Sequence, residues 1–233
     1  MDKTTSRPES TTSLLNTLRA AVLGANDGIV STSAVVMGVA GATSDTGAIA
    51  TAGFAALVAG ALSMAVGEYV SVSSQSDTEK AFISRERRLL RQNPQRELAQ
   101  LAQSYIDQGV SDRLADQVAR EVSDKNALQA HLRMHFGLDE DDLNSPWQAA
   151  IASLLAFTAG GLVPFLAVIL TPEPYKLVAT FLAVIVALVA TGYFSARAGG
   201  AHKVRAILRI VIGGALAMLL TYGIGALFGT SIS

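Results

Sequence analysis

The chain contains no cysteine, which excludes disulfides, thiolate metal sites and Fe–S clusters. Aromatic residues are scarce, at 6% with a single Trp. No GxxxxGK phosphate loop occurs, so nothing in the chain provides for ATP drive. Charge is absent from long stretches, and a formal net of −1 hides one polar block set between several uncharged runs. The only histidines are His131, His135 and His202. None lies well inside an apolar run, so no Ser–His–Asp set for an intramembrane hydrolase can be assembled there.

What the chain has in quantity is apolar sequence: 50% hydrophobic residues and a positive mean hydropathy. A bilayer core takes about 20 apolar residues of helix. Five stretches qualify, at 18–42, 48–72, 147–170, 177–196 and 206–228. The expected fold class is therefore an all-α integral membrane protein, five transmembrane helices with a cytoplasmic helical insert between spans two and three. The expected organisation is a disordered polar tail (1–13), spans one and two (14–76), the insert (77–143) and spans three to five (144–233). The tail, MDKTTSRPESTT, lacks the short apolar core of a cleavable leader. Gly24/Gly28 and Gly225/Gly229 carry the four-residue spacing of close-packing helix faces. Pro164 predicts a kink or local break in the third span.

Seventeen of the 18 Lys and Arg fall before span one, in the insert, or around the fourth loop; Lys176 stands alone on the other side. By the positive-inside rule the N-terminus and the insert are cytoplasmic and the C-terminus is outside. The insert reads as helices. Neither Gly nor Pro occurs from Glu68 to Asn93, so span two runs on beyond the membrane. Asn93-Pro94 starts a helix that Gly109 ends, Ser111 opens the next, and Asp124 is expected to cap a last helix that Gly137 stops.

Only two acids fall well within the apolar runs, Asp27 and Glu68. Counting 1.5 Å per residue from each face puts Asp27 and Met64 at about the same depth, roughly 10 Å from the inner side. Glu68 is one turn nearer that side. A carboxylate at such a depth costs a few kcal/mol unless it meets a cavity, a partner or an ion, and these spans offer it no Lys or Arg. Acid and thioether together suit a divalent cation, or a proton when the cation is absent. The structural alternative is that Asp27 caps a helix break while Asn26 bridges helices. In the insert, His131 and His135 share a helix face at a spacing suited to a transition metal, with Met134 and Asp139 close in sequence. Glu86 lies in the run SRERRLLR and Glu97 opens the next helix. Solvated charges, with Glu86 paired to its neighbouring arginines, are the competing reading.

Three segments, LRAAVLGANDGIVSTSAVVMGVAGA, GALSMAVGEYVSVSSQSDTEKA and GGLVPF, resemble the vacuolar iron transporter family, and the resemblance runs from about residue 14 to 229. It implies a homodimeric, proton-coupled exporter of Fe²⁺ and related ions such as Mn²⁺, with the ion path along the dimer interface. The family's membrane acid matches Asp27 and its span-two methionine matches Met64; a further glutamate of eukaryotic members falls on Ala56. The GEY segment containing Glu68 is similar to that of prokaryotic members. Of the insert's usual glutamates, Glu86 and Glu97 match, whereas Leu89 and Gln100 occupy two other positions. His131 and His135 fall where other members place methionine or histidine, and glutamate.

The expected partners are divalent metal ions, protons, membrane lipid and a second copy of the chain, with no nucleic acid. No cofactor is expected to be tightly bound, Fe²⁺ or Mn²⁺ being the transported substrate. Short tail and loops suggest a bacterial plasma membrane. A metal sensor or store without transport, and a divalent cation channel, are the alternatives.

Overall fold

Small residues set the architecture. In a computed structural model, which describes residues 11–139 and 145–232, seven α-helices account for nearly all of the chain. They are α1 (Thr11–Ala42), α2 (Thr46–Gln92), α3 (Pro94–Asp107), α4 (Asp112–His131), α5 (Pro146–Leu170), α6 (Lys176–Ala198) and α7 (Lys203–Ile232). A π-helical turn, Leu132–Phe136, continues α4. The polar tail with Lys3 and Arg7, and the expected end of the insert at 143, lie outside the described residues.

Five helical segments are long and apolar enough to cross a membrane: Ala20–Ala42, Thr46–Gln92, Pro146–Leu170, Lys176–Ala198 and Lys203–Gly229. The chain is thus an all-α integral membrane protein. It divides into two compact units, one of Leu14–Val70 with Pro146–Ser233, the other chiefly of Ser71–Ser145.

Within the first unit α1 is the central element. A Cβ on Gly28 would lie 2.1 Å from the Phe157 carbonyl oxygen of α5, and one on Gly160 would lie 2.2 Å from that of Ala25. Toward its other end α1 meets α7 in the same way. A Cβ on Gly225 would fall 1.8 Å from the Gly38 carbonyl oxygen, and one on Gly229 2.6 Å from that of Ala42. Both four-residue glycine pairs therefore lie on faces where backbone touches backbone. Such contact is the main attraction available between helices in lipid, where apolar burial distinguishes poorly between neighbours. The remaining sides of α1 pack conventionally. Ile29 and Met37 join Val184, Leu188 and Met218 of α6 and α7. Val36 meets Ile49 and Val168 of α2 and α5. What stays open is one stripe of α1 that includes Leu23 and Val35.

Pro164 is buried inside α5, which continues unbroken around it from Pro146 to Leu170. At the α1–α2 turn the Gly47 N–H donates to Asp45 Oδ1 at 2.9 Å, capping α2. Nearby, Lys176 is only 3% exposed. Its ammonium donates to Thr46 Oγ1 and lies 2.8 Å from Glu173 Oε1. The cation that the sequence leaves isolated thus fastens the start of α6 to the start of α2.

Replacing Gly225 with Val should lower the melting temperature of the detergent-solubilised protein sharply, by the equivalent of about 1–3 kcal/mol or more, because backbone blocks the new side chain. Gly213→Ala, where nothing lies within 4 Å of the added Cβ, should be neutral or slightly stabilising. Equal melting temperatures for the two variants would contradict the packing described.

Candidate metal centre

The unit of Ser71–Ser145 builds its site from three short helices around the distal half of α2. Pro94 opens α3, and Glu97 sits in its first turn, where the helix dipole favours a carboxylate. Gly109, at φ +94°, ends that segment. α4 is interrupted at Asn126, whose extended backbone (φ −164°, ψ 91°) breaks the helix. The Asn126 Oδ1 accepts the Gln129 N–H at 3.0 Å. Asn126, and not Asp124 as the sequence suggests, is therefore the cap of the last helix: Gln129 stands at the third helical position counted from Asn126, where a side-chain cap reaches. The π turn follows, and Gly137, left-handed at φ +64°, closes it. Phe136 in this turn stacks on Phe82 of α2, centroids 4.9 Å apart and planes 13° apart.

This frame aims three donors at one point. Glu86 on α2, Glu97 on α3 and His131 on α4 are all buried, and one ligand atom from each lies within 4.8 Å of the other two. Two donors bonded to one ion at roughly 2.0–2.2 Å sit no more than about 4.4 Å apart, so slight rotamer adjustment closes the three on a cation. Glu86 is turned inward at 5% exposure while Arg85, Arg87 and Arg88 face solvent, unlike the solvated pairing that the SRERRLLR run allows. Its Oε1 lies 2.9 Å from His131 Nδ1. The contact is not aligned as a hydrogen bond: both ring nitrogens of His131 remain buried without one. Charged carboxylates buried beside an imidazole are costly when unpaired, and a cation between them would offset that cost.

His135 lies beside this group, its ring centroid 5.3 Å from that of His131 and its Nε2 buried and unpartnered. It is not one of the three converging donors. Met134 and Asp139 are engaged elsewhere: the Met134 sulfur accepts from Gln108 Nε2 at 3.0 Å, and Asp139 pairs with Arg133. Leu89 is half-buried and Gln100 exposed. Burial pushes the His131 imidazole below its ordinary 6.5; the Glu86 carboxylate opposes the shift, His135 adds to it, and Glu97 opposes it more weakly. His131 accordingly stays neutral, the form that can bind a metal, to lower pH than a free histidine.

Three sequence candidates lie on the membrane-spanning helices. Asp27, on α1, is half-buried on the same stripe as exposed Leu23 and Val35. Its Oδ1 accepts from the Ser31 hydroxyl, one turn on. Asn26 Oδ1 is buried with no hydrogen-bond partner, so that atom ties no helices together. Met64 packs at the margin of the Leu57, Ala61 and Phe157 cluster, and Glu68 is half-buried one turn further along α2. Among the described residues no hydrogen bond or ion pair joins Asp27 to Glu68.

Five spanning helices and a separate helical unit holding a buried carboxylate–imidazole cluster define a multi-pass membrane protein with a candidate cation site. Residues 18–226 match the model of the VIT family, and the chain belongs to that family. It is 40% identical over 223 residues to a vacuolar iron transporter of Acanthamoeba castellanii, covering 95% of this chain and 82% of the relative. It is 37% identical over 213 residues to vacuolar iron transporter homolog 2 of Arabidopsis thaliana, covering 91% and 84% of the two chains. Against vacuolar iron transporter homolog 5 of Oryza sativa subsp. japonica it is 36% identical over 217 residues, with 93% and 82% covered.

Calorimetric titration of Zn²⁺ or Co²⁺ into the purified protein should show a site that His131→Ala or Glu97→Gln weakens roughly tenfold or more. As pH falls, affinity should decline later than an ordinary histidine ligand would dictate, as His131 takes up its proton below its usual pKa. The unfolded chain protonates this histidine first, near 6.5, so folding stability also falls as pH drops from there through the lowered value. A decline already complete at pH 6.5 would contradict the burial effect. Asn126→Ala should cost about 1 kcal/mol of stability in a chemical melt; an unchanged midpoint would remove its capping role.

Proposed function

We propose that this chain moves divalent metal ions, Fe²⁺ foremost with Mn²⁺ and similar ions following, across a membrane in exchange for protons, and that it works as a homodimer. The observation that carries the reading is the buried Glu86–Glu97–His131 cluster in a member of a family whose relatives are named vacuolar iron transporters. Carboxylate and imidazole donors favour borderline divalent ions over Cu(I), and the absence of thiolate fits the same choice.

In this reading Glu86, Glu97 and His131, with His135 alongside, collect the ion on the cytoplasmic side. Asp27, with Met64 and Glu68, replaces part of its hydration shell within the membrane. Protons entering from the opposite side compete for the carboxylates, and protonation of Asp27 releases the ion outward. Ser31, already donating to Asp27, holds that carboxylate in place through the cycle. The second copy follows from the position of Asp27. A carboxylate on the open stripe of a spanning helix is expensive against lipid, and a partner subunit there supplies cover and further ligands. The distribution of Lys and Arg supports a cytoplasmic insert and N-terminus, and the short loops suit a bacterial plasma membrane.

Reconstitution in liposomes with an internal Fe²⁺ indicator, with and without an imposed pH gradient, tests the reading. Wild-type flux should depend on the gradient, and Asp27→Asn, which keeps size but removes the titratable charge, should lower it tenfold or more. Flux lost in the variant yet indifferent to the gradient in wild type would make the protein a channel. Undiminished flux in the variant would remove Asp27 from the path.

A further inference from the structure

From Pro174 to Ser233 the chain has no Asp or Glu, yet it carries Lys176, Arg197, Lys203, Arg205 and Arg209. Lys176 is buried in its own ion pair. The other four crowd around a single connection, residues 199–202 between α6 and α7. All four are exposed, and among the described residues none makes an ion pair. The contrast with the Ser71–Ser145 unit is marked, since cations there alternate with acids and several are paired, as Arg120 is with Asp116. A positive-inside bias accounts for cations on one side of a membrane. It does not require four of them, free of any acid, around a four-residue turn.

The turn is rigid. Gly200 is left-handed at φ +65°, and the Ala201 N–H donates to the Ala196 carbonyl at 2.9 Å, closing the end of α6. A Cβ on Gly192 would come 2.9 Å from Ile207 Cα, so the two helices touch just beyond the turn. That contact brings the Lys203 ammonium over the Tyr193 ring, 5.1 Å from its centroid. Along α7 two stripes run side by side. Arg205 and Arg209 form one, and exposed Val204, Leu208 and Ile212 form the other. Phe194 is exposed at the end of α6.

We propose that this corner binds the phosphate of an anionic phospholipid headgroup, with Arg205 and Arg209, one turn apart on one face of α7, holding the phosphate, Lys203 adding positive charge at the turn, and the acyl chains lying along Val204, Leu208 and Ile212. The shared chemistry is that of any phosphate, but the apolar stripe beside the cations selects a lipid over a free anion. Basic clusters where a spanning helix meets the membrane surface recognise anionic lipid in this way.

The test uses the full chain in a neutral detergent, titrated with phosphatidylglycerol or phosphatidylcholine while its melting temperature is followed. Phosphatidylglycerol should raise the melting temperature saturably and phosphatidylcholine should not. Each cation removed should weaken the apparent lipid affinity roughly fivefold, so Lys203→Gln/Arg205→Gln/Arg209→Gln should weaken it about a hundredfold. Arg96→Gln/Arg113→Gln/Arg120→Gln, which removes the same charge from the other unit, should titrate like wild type. An unchanged affinity in the first variant, or an equal loss in the second, overturns the assignment. Stabilisation by millimolar inorganic phosphate equal to that by lipid would make this a free-anion site and overturn the lipid. Should the first variant melt early even in phosphatidylcholine, wild type at low and high salt decides: the lipid affinity must fall with ionic strength, and a salt-independent affinity refutes the site.

Discussion

The contact on which the membrane unit depends is the approach of α1 to the backbones of α5 and α7. In lipid, side-chain burial alone gives helices little reason to choose one neighbour over another, so the choice falls to surfaces smooth enough for backbones to meet. Gly28, Gly160, Gly225 and Gly229 supply those surfaces. Once α1 is held on both sides, and Met37 and Val36 are seated in their clusters, exposed Leu23 and Val35 mark a stripe left uncovered among its described side chains. Asp27 is on that stripe. The carboxylate is left only half-buried because the close contacts at Gly28, Gly160, Gly225 and Gly229 occupy other faces of α1.

The second unit works by the opposite physics. Its helices are short and amphipathic, with Leu101, Ala102 and Ala119 forming a small core between α3 and α4. That core, the Asn126 break and the Phe82–Phe136 stack bring a histidine against two glutamates. Burying two carboxylates next to a neutral imidazole is costly while they stay charged, and the arrangement is that of a candidate cation site. The mixture of donors matters chemically. Imidazole adds pH dependence and borderline softness to a set that carboxylates alone would make hard. Leu89 and Gln100, where the resemblance leads one to look for further acids, leave the group small.

Much of this was readable in the residues. The five spans follow from apolar length, the helix ends at Gly109 and Gly137 from glycine's tolerance of positive φ, and the start of α3 from Pro94. The glycine pairs announced close faces without naming what they close on. Asn126 escaped notice because Asp124 is an equally good cap two residues earlier, and local sequence does not rank them; the break belongs where His131 must turn toward Glu86. The sequence left Glu86 between a ligand, which the resemblance implies, and a solvated partner of its flanking arginines; packing turns it inward. The buried link of Lys176 to Thr46 joins residues 130 apart, beyond the reach of any local pattern.

The sequence by itself determined class, span number and the short list of acids and histidines, because hydropathy, helix periodicity and chain breakers act within a few residues of one another. Tertiary structure decided which of those side chains meet. Glu86, Glu97 and His131 come from three helices and converge within 4.8 Å, while His135, four residues from His131, stands beside the group. Convergence of that kind depends on the angle at which each helix leaves its turn, and that angle is fixed by packing between segments far apart in the chain.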